Sequence, residues 1–193
     1  MMPVCEFCTD NVGSVVYGQG LTNTGFNRAL SSWAGTGWVM TGMTAPSEAA
    51  ALAAILIVDD DLEDVQFIRR AFKKNNVANP LFSVFSGEEA LDFLGRCDRG
   101  SQAYPGLILL DLNMPGVGGM ETLRRVKMNE RWRRIPAVIF TTSKAEEDVL
   151  TSYSMGANSY ISKPFGFDGL TEVVAQISSY WLGVAALPSK SAE

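Results

Sequence analysis

Apolar and polar positions follow one another in regular blocks from Leu52 onward. Ala54–Val58 is a short apolar run, and after it Leu62, Val65, Ile68 and Phe72 recur at helical spacing until the Asn75–Pro80 break. Leu81–Phe85 is a second run, and Ser86 with Glu89 three residues later is a capping box for a helix through Leu94. Asp98–Pro105 is polar and turn-rich, a surface loop. Gly106–Leu110 is unbroken apolar sequence, as a strand covered on both faces requires. Beyond the Pro115–Gly119 turn, Met120, Leu123 and Val126 mark a third helix. Ala137–Phe140 is the fourth strand, and Ser143 with Glu146 repeats the capping pattern for a helix carrying Val149, Leu150 and Tyr153 to a stop at Gly156. Ser159–Ile161 is the fifth strand, and Leu170, Val173, Val174, Ile177 and Trp181 form the stripe of a last helix. Five strand–helix units in strict alternation predict an α/β fold: a doubly wound five-stranded parallel sheet with five helices, three layers in all.

Three of the strand ends carry an acid or a base: Asp59, Asp60 and Asp61 after the first, Asp111 after the third and Lys163 after the fifth. In an open parallel sheet the ligand crevice lies at the carboxyl ends of the strands, so these residues should meet there. Clustered carboxylates suit Mg²⁺, a hard cation that takes oxygen ligands and keeps waters it can exchange for phosphate oxygens. The pattern therefore points to phosphate chemistry.

Composition narrows the field. The chain has no histidine, which removes Ser-His-Asp and Cys-His catalysis and His-containing zinc sites. Cys5 and Cys8 form a Cys-x-x-Cys, but with only Cys97 besides, a four-ligand structural zinc is not provided. A net charge of −5 gives no reason to expect nucleic-acid binding, and Arg124, Arg125, Lys127, Arg131, Arg133 and Arg134 read as a solvated helical face. Ala49–Val58 is too short and too soon followed by acids to cross a bilayer, so a soluble, cytoplasmic protein with no membrane contact is expected. Residues 1–51 look like a poorly structured extension: residues 1–50 hold four charged side chains and seven glycines, with no sustained period. The regular pattern occupies residues 52–182, and residues 183–193 form a tail.

Ile57-Val58-Asp59-Asp60, Asp111-Leu-Asn-Met-Pro115 with Gly119, Thr141-Thr142 and Lys163-Pro164 together resemble the receiver domain of two-component response regulators. The resemblance implies a flavodoxin-like strand order 2-1-3-4-5. It implies that Asp111 accepts a phosphoryl group from a histidine kinase in a Mg²⁺-dependent reaction. Asp60, Asp111 and the backbone carbonyl of Asn113 match the metal ligands, with Asp59 acting through a metal-bound water. Lys163 answers the phosphoryl charge, while Thr141 and Tyr160 match the two residues of the switch. A cis bond before Pro164 is implied as well. Asp61, by contrast, reads as the residue that starts a helix.

With 11 residues after 182, no DNA-binding or catalytic output domain is expected to follow, so the resemblance implies a stand-alone switch that leaves its signal by protein contact. Such a protein is not an enzyme beyond catalysing its own phosphorylation and dephosphorylation. The Asp98–Tyr104 loop, the stretch from Arg134 to Ser143 and the Tyr180-Trp181-Leu182 ending look similar to regulators paired with bacterial and cyanobacterial phytochrome kinases. That similarity implies a phytochrome-type kinase partner, an unknown downstream protein target and a homodimer through helix 4, strand 5 and helix 5. The apolar content of Val173–Leu182 fits core packing or such a face equally well. Two rival readings remain. Asp59-Asp60-Asp61 has the Asp-x-Asp spacing of haloacid dehalogenase-type phosphatases, with Asp59 as nucleophile, although Glu63 departs from that pattern. A receiver that binds partners without being phosphorylated is the other.

Overall fold

The computed structural model describes residues 52–188; the extension at 1–51, with Cys5 and Cys8, and residues 189–193 lie outside the described residues. Five strands, β1 (Ala54–Val58), β2 (Leu81–Val84), β3 (Pro105–Leu110), β4 (Ala137–Thr141) and β5 (Ser159–Ser162), form one parallel sheet in the order β2-β1-β3-β4-β5. Between and after them run α1 (Leu62–Lys74), α2 (Gly87–Asp98), α3 (Gly119–Met128), α4 (Glu146–Ser154) and α5 (Phe167–Ser178). The strand order reverses between β1 and β3, and the ends of those two strands carry Asp59 and Asp111.

The three central strands are buried on both faces, which is why their sequences do not alternate. Alternate residues feed two separate cores. Ile55, Ile57, Leu107, Leu109, Val138 and Phe140 pack against α1 and α5, whereas Leu56, Val58, Ile108, Leu110, Ala137 and Ile139 pack against α2 and α3. Most helix stripes behave as the spacing predicts. In α1, Val65, Ile68, Ala71 and Phe72 are buried, but Leu62, the first residue of the helix, is exposed.

Helix starts differ where side chains find other partners. Asp61 caps α1, its carboxylate accepting from the N–H groups of Glu63 (2.8 Å) and Asp64 (3.3 Å). Ser86 caps α2 by accepting from Glu89 N–H at 3.1 Å, while Glu89 reaches back to Phe85 N–H at 2.8 Å, and the helix runs beyond Leu94 to Asp98. The second capping box does not form. Ala145 occupies the N-cap of α4, and Ser143 instead donates its hydroxyl to Asp148 at 2.5 Å and accepts from Ala145 N–H at 3.3 Å. The last helix also departs from the simple stripe. After Ser178 the chain widens into a π-helical turn, Ser179–Val184, which leaves Tyr180 exposed while Trp181 and Leu182 rest on the α1/α5 core. No peptide bond among the described residues is cis, so the Lys163–Pro164 bond is trans, the lower-energy isomer for an X–Pro bond.

Candidate functional site

At the carboxyl edge of the sheet the chain gathers four carboxylates, three of them in contact with one ammonium. Asp59 follows β1 directly and is 1% exposed; Asp111 follows β3 and is also buried; Asp60 is exposed at the rim. One carboxylate oxygen from each of these three lies within 4.8 Å of the others. Lys163, the first residue beyond β5, keeps its backbone on the sheet by donating its N–H to Thr141 carbonyl at 2.7 Å. Its side chain, 7% exposed, donates to Asp59 at 2.6 Å, to Asp64 at 2.7 Å and to Asp111 at 3.3 Å.

The electrostatics of this pocket are unbalanced. Burial pushes the Asp59 carboxyl up to about 6; the Lys163 ammonium pulls it down, Asp111 adds to the rise and Asp61 N–H opposes it. Burial alone would lower the Lys163 ammonium, yet Asp59, with Asp64 and Asp111, holds it above its ordinary value. One lysine cannot neutralise the carboxylates that surround it. A hard divalent cation would, and an all-oxygen donor set of two buried and one rim carboxylate fits such an ion.

The loop after β3 is built to keep Asp111 in place. Asn113 N–H donates to Asp111 Oδ1 at 3.3 Å, and the Asn113 amide donates to the hydroxyls of Thr141 at 3.5 Å and Thr142 at 3.3 Å. Gly119 opens α3 against this loop so closely that a Cβ would fall 1.9 Å from the Asp111 carbonyl oxygen. Only a residue without a side chain fits there. Glu88, at the start of α2, accepts from Val117 N–H at 3.1 Å and fastens the far side of the loop.

Thr141, fully buried, accepts a hydrogen bond from Ser143 N–H at 3.3 Å. Tyr160 stands farther out, on β5: its hydroxyl donates to the Ser143 carbonyl at 3.2 Å and its N–H donates to the Tyr153 hydroxyl at 3.2 Å. Ser143 therefore links the two residues. The structure brings Asp59, Asp60, Asp111, Lys163, Asn113 and Thr141 into one place and leaves Tyr160 one loop away.

Asp64 was not legible as part of the pocket. An acid in a helix's first turn is common for reasons of the helix dipole alone, and only the rotation of α1 over the sheet turns this one toward Lys163. The basic cluster also resolves differently from a uniform solvated face. Arg124 and Arg125 pair with Glu121 at 2.6 and 2.7 Å, but Lys127 is half-buried, donating to the carbonyls of Arg133 (3.3 Å) and Ile135 (2.8 Å) and to the Asn158 side chain (3.0 Å).

Comparison with known proteins agrees with this geometry. Residues 55–175 match the family model of the response regulator receiver domain. A probable methanogenesis regulatory protein, FilR2 of Methanothrix harundinacea, is 39% identical over 129 residues, 67% of this chain and 83% of its own. Response regulator Rcp1 of Synechocystis is 35% identical over 136 residues, covering 70% of this chain and 92% of the relative. Among solved structures, the Mn²⁺-bound form of Rcp1 superposes with a TM-score of 0.66 over 71% of this chain and 99% of that one, at 35% identity. The phosphorylated cyanobacterial phytochrome response regulator RcpA superposes with a TM-score of 0.67 over 72% of this chain and 100% of that one, at 36% identity. Neither rival reading, phosphatase or unphosphorylated receiver, is favoured by these matches.

Proposed function

The chain belongs to the response regulator receiver family, and from that premise we propose that Asp111 is the residue that receives the phosphoryl group from a histidine kinase. The observation that carries the assignment is the convergence of Asp59, Asp60 and Asp111 within 4.8 Å, with Lys163 3.3 Å from Asp111. An Asp111 oxygen attacks the phosphorus of a phosphohistidine, the P–O bond forms as the N–P bond breaks, and the electron pair leaves with the imidazole nitrogen. Asp60, Asp111 and the Asn113 carbonyl, with Asp59 through water, would hold a Mg²⁺, which would supply charge neutralisation for the phosphoryl oxygens. Lys163 supplies the remaining positive charge. The metal-bound form of Rcp1 supports a divalent ion in this family, and Mg²⁺ is the ion we assign here.

Thr141 and Tyr160 act as the switch through Ser143. If the Thr141 hydroxyl turns toward a phosphoryl on Asp111, it gives up the bond from Ser143 N–H, and the loop whose carbonyl receives the Tyr160 hydroxyl is released. The signal then leaves by protein contact. On α4, Leu150 is 62% exposed, Tyr153 is 51% exposed and only Ser152 is fully buried, which supports the α4–β5–α5 face as the surface for a downstream protein or a second copy. The likeness to RcpA supports a phytochrome-type kinase as the donor. The protein acts as a cytoplasmic switch rather than a turnover enzyme, without nucleic-acid contact; among the described residues no helix is long and apolar enough to cross a membrane.

Incubation with acetyl phosphate and Mg²⁺, followed by mapping of the acyl phosphate, tests the acceptor. Label on Asp111, lost in Asp111→Asn, is the expected result; label on Asp59 would transfer the role to the phosphatase-like reading. Size measurement with and without beryllofluoride tests the homodimer, and a monomer in both states refutes it.

A further inference from the structure

Lys163 is held by one carboxylate to which the proposed chemistry gives no part. Asp64 Oδ2 lies 2.7 Å from the ammonium, close to the 2.6 Å of Asp59 and well inside the 3.3 Å of Asp111. The three N–H donors of the ammonium are thus all taken up by carboxylates before any phosphoryl group arrives. Asp64 is not one of the three acids whose oxygens converge for a metal, and among the described residues its carboxylate accepts its hydrogen bond from the lysine. Its place is fixed from below: Asp64 N–H donates to Asp61 at 3.3 Å, and the first turn of α1 favours a negative side chain there.

We propose that Asp64 is the positioning residue for Lys163, holding its ammonium on the α1 side of the pocket and competing with the phosphoryl group for it. The inference rests on Asp111 being the acceptor. A phosphoryl oxygen on Asp111 takes over the donor that Asp111 itself holds at 3.3 Å, and a second phosphoryl oxygen must draw its donor from Asp59 or Asp64. Asp59 is 1% exposed, so bulk water cannot replace a lysine donor that it gives up. Asp64 has a side chain 37% exposed and exchanges the lysine for water at little cost. Asp64 is therefore the partner that lets go, and the strength of its hold sets how readily the phosphorylated arrangement forms.

The test titrates the full chain with beryllofluoride in saturating Mg²⁺, comparing wild type, Asp64→Asn, Asp64→Glu and Glu63→Gln. Glu63 is the other acid of the same turn and makes no ion pair among the described residues, so its variant controls for loss of one negative charge. Asp64→Asn should bind beryllofluoride about fivefold more tightly, from loss of one charge-assisted hydrogen bond in the competing state. Asp64→Glu should return toward wild type, and Glu63→Gln should stay there. In ¹⁵N-edited spectra without beryllofluoride, the Lys163 ammonium protons should exchange with water faster in Asp64→Asn than in Glu63→Gln. Equal affinities in wild type and Asp64→Asn, or equal changes in Asp64→Asn and Glu63→Gln, overturn the role of Asp64. Binding that survives in Asp111→Asn would instead overturn the acceptor assignment.

Discussion

Two lysines stand at opposite ends of the β4–β5 edge and live in opposite electrostatic worlds. Lys163, at the carboxyl ends, is surrounded by Asp59, Asp64 and Asp111 and held above its ordinary pKa despite burial. Lys127 reaches from α3 to the amino ends, where the Arg133 and Ile135 carbonyls and the Asn158 amide oxygen accept its three donors, and burial lowers it to about 8. Asn158 completes that corner by also accepting from Ala137 N–H at 3.0 Å. Both ammonium groups have every donor satisfied, yet only one end has charge left over. Neutral acceptors make a joint that nothing further can improve, whereas excess carboxylate makes a pocket whose energy falls when a cation arrives. The fold keeps its tension where it must respond and its satisfied bonds where it must not.

Replacing each lysine with methionine should separate these roles. Lys163→Met leaves Asp59 and Asp111 buried without a counter-ion, and the expected loss is about 3 kcal/mol of unfolding free energy at neutral pH. Lys163 holds the Asp59 carboxyl down to about 6 against its burial, so in the variant that carboxyl should rise further, and the loss should shrink as pH falls and the carboxyl takes up a proton. Urea unfolding at pH 7.5 and pH 5 measures both, and an equal loss at the two values would mean that charge is not the cause. The same variant should lose its response to acetyl phosphate. Lys127→Met should destabilise by about 2 kcal/mol, since three acceptors lose their donor but lie near enough to the surface to be partly rehydrated. It should still label on Asp111. A Lys127 variant with normal stability and impaired labelling would erase the distinction between the two ends.

How much of this contrast could be read from the chain depends on what fixes each position. Asp59, Asp60, Asp111 and Lys163 were legible because each abuts the end of an apolar run, and a parallel sheet brings such ends together whatever the helices do. The five strands were legible for the same reason, within one residue at each end. Asp64 and Lys127 lie on helices, where the azimuth about the axis decides which side chain turns inward, and periodicity locates only the apolar stripe. Lys127 follows buried Val126 directly and was hidden among five neighbouring arginines, of which Arg124 and Arg125 do stay at the surface. Ser143 failed as a cap because its oxygen accepts from Ala145 N–H while its hydroxyl donates to Asp148, and the helix starts only after Ala145, an arrangement that the serine–glutamate spacing does not announce. The π-helical turn after Ser178 carries no local signal; packing of Trp181 and Leu182 against the α1/α5 core accompanies the widened backbone.

A divalent cation should act on one end alone. At tenfold excess over its dissociation constant, Mg²⁺ should stabilise the wild type by about 1.4 kcal/mol through binding only the folded state. Asp60→Asn should lose most of that gain, and Lys127→Met should keep it. Thermal unfolding with and without the ion measures the three cases; an Asp60→Asn protein stabilised as much as wild type would remove the rim carboxylate from the ligand set.

The smallest effect is a pH dependence from the amino end. Lys127 has a folded pKa lowered to about 8 from 10.5, so between those values the unfolded chain binds more protons than the folded one. Stability must then rise with pH across that window, because the proton whose burial disfavours the folded state is being removed from both forms. The group is only half-buried, so solvent screening holds the gain to about 1 kcal/mol or less. Other residues titrate in the same range, and the Lys127 contribution is isolated by subtracting the profile of Lys127→Met. The difference should climb from pH 8 and level off near 10.5; a flat difference would mean that the three acceptors hold the ammonium as well as water does, and the contrast with Lys163 would then rest on geometry alone.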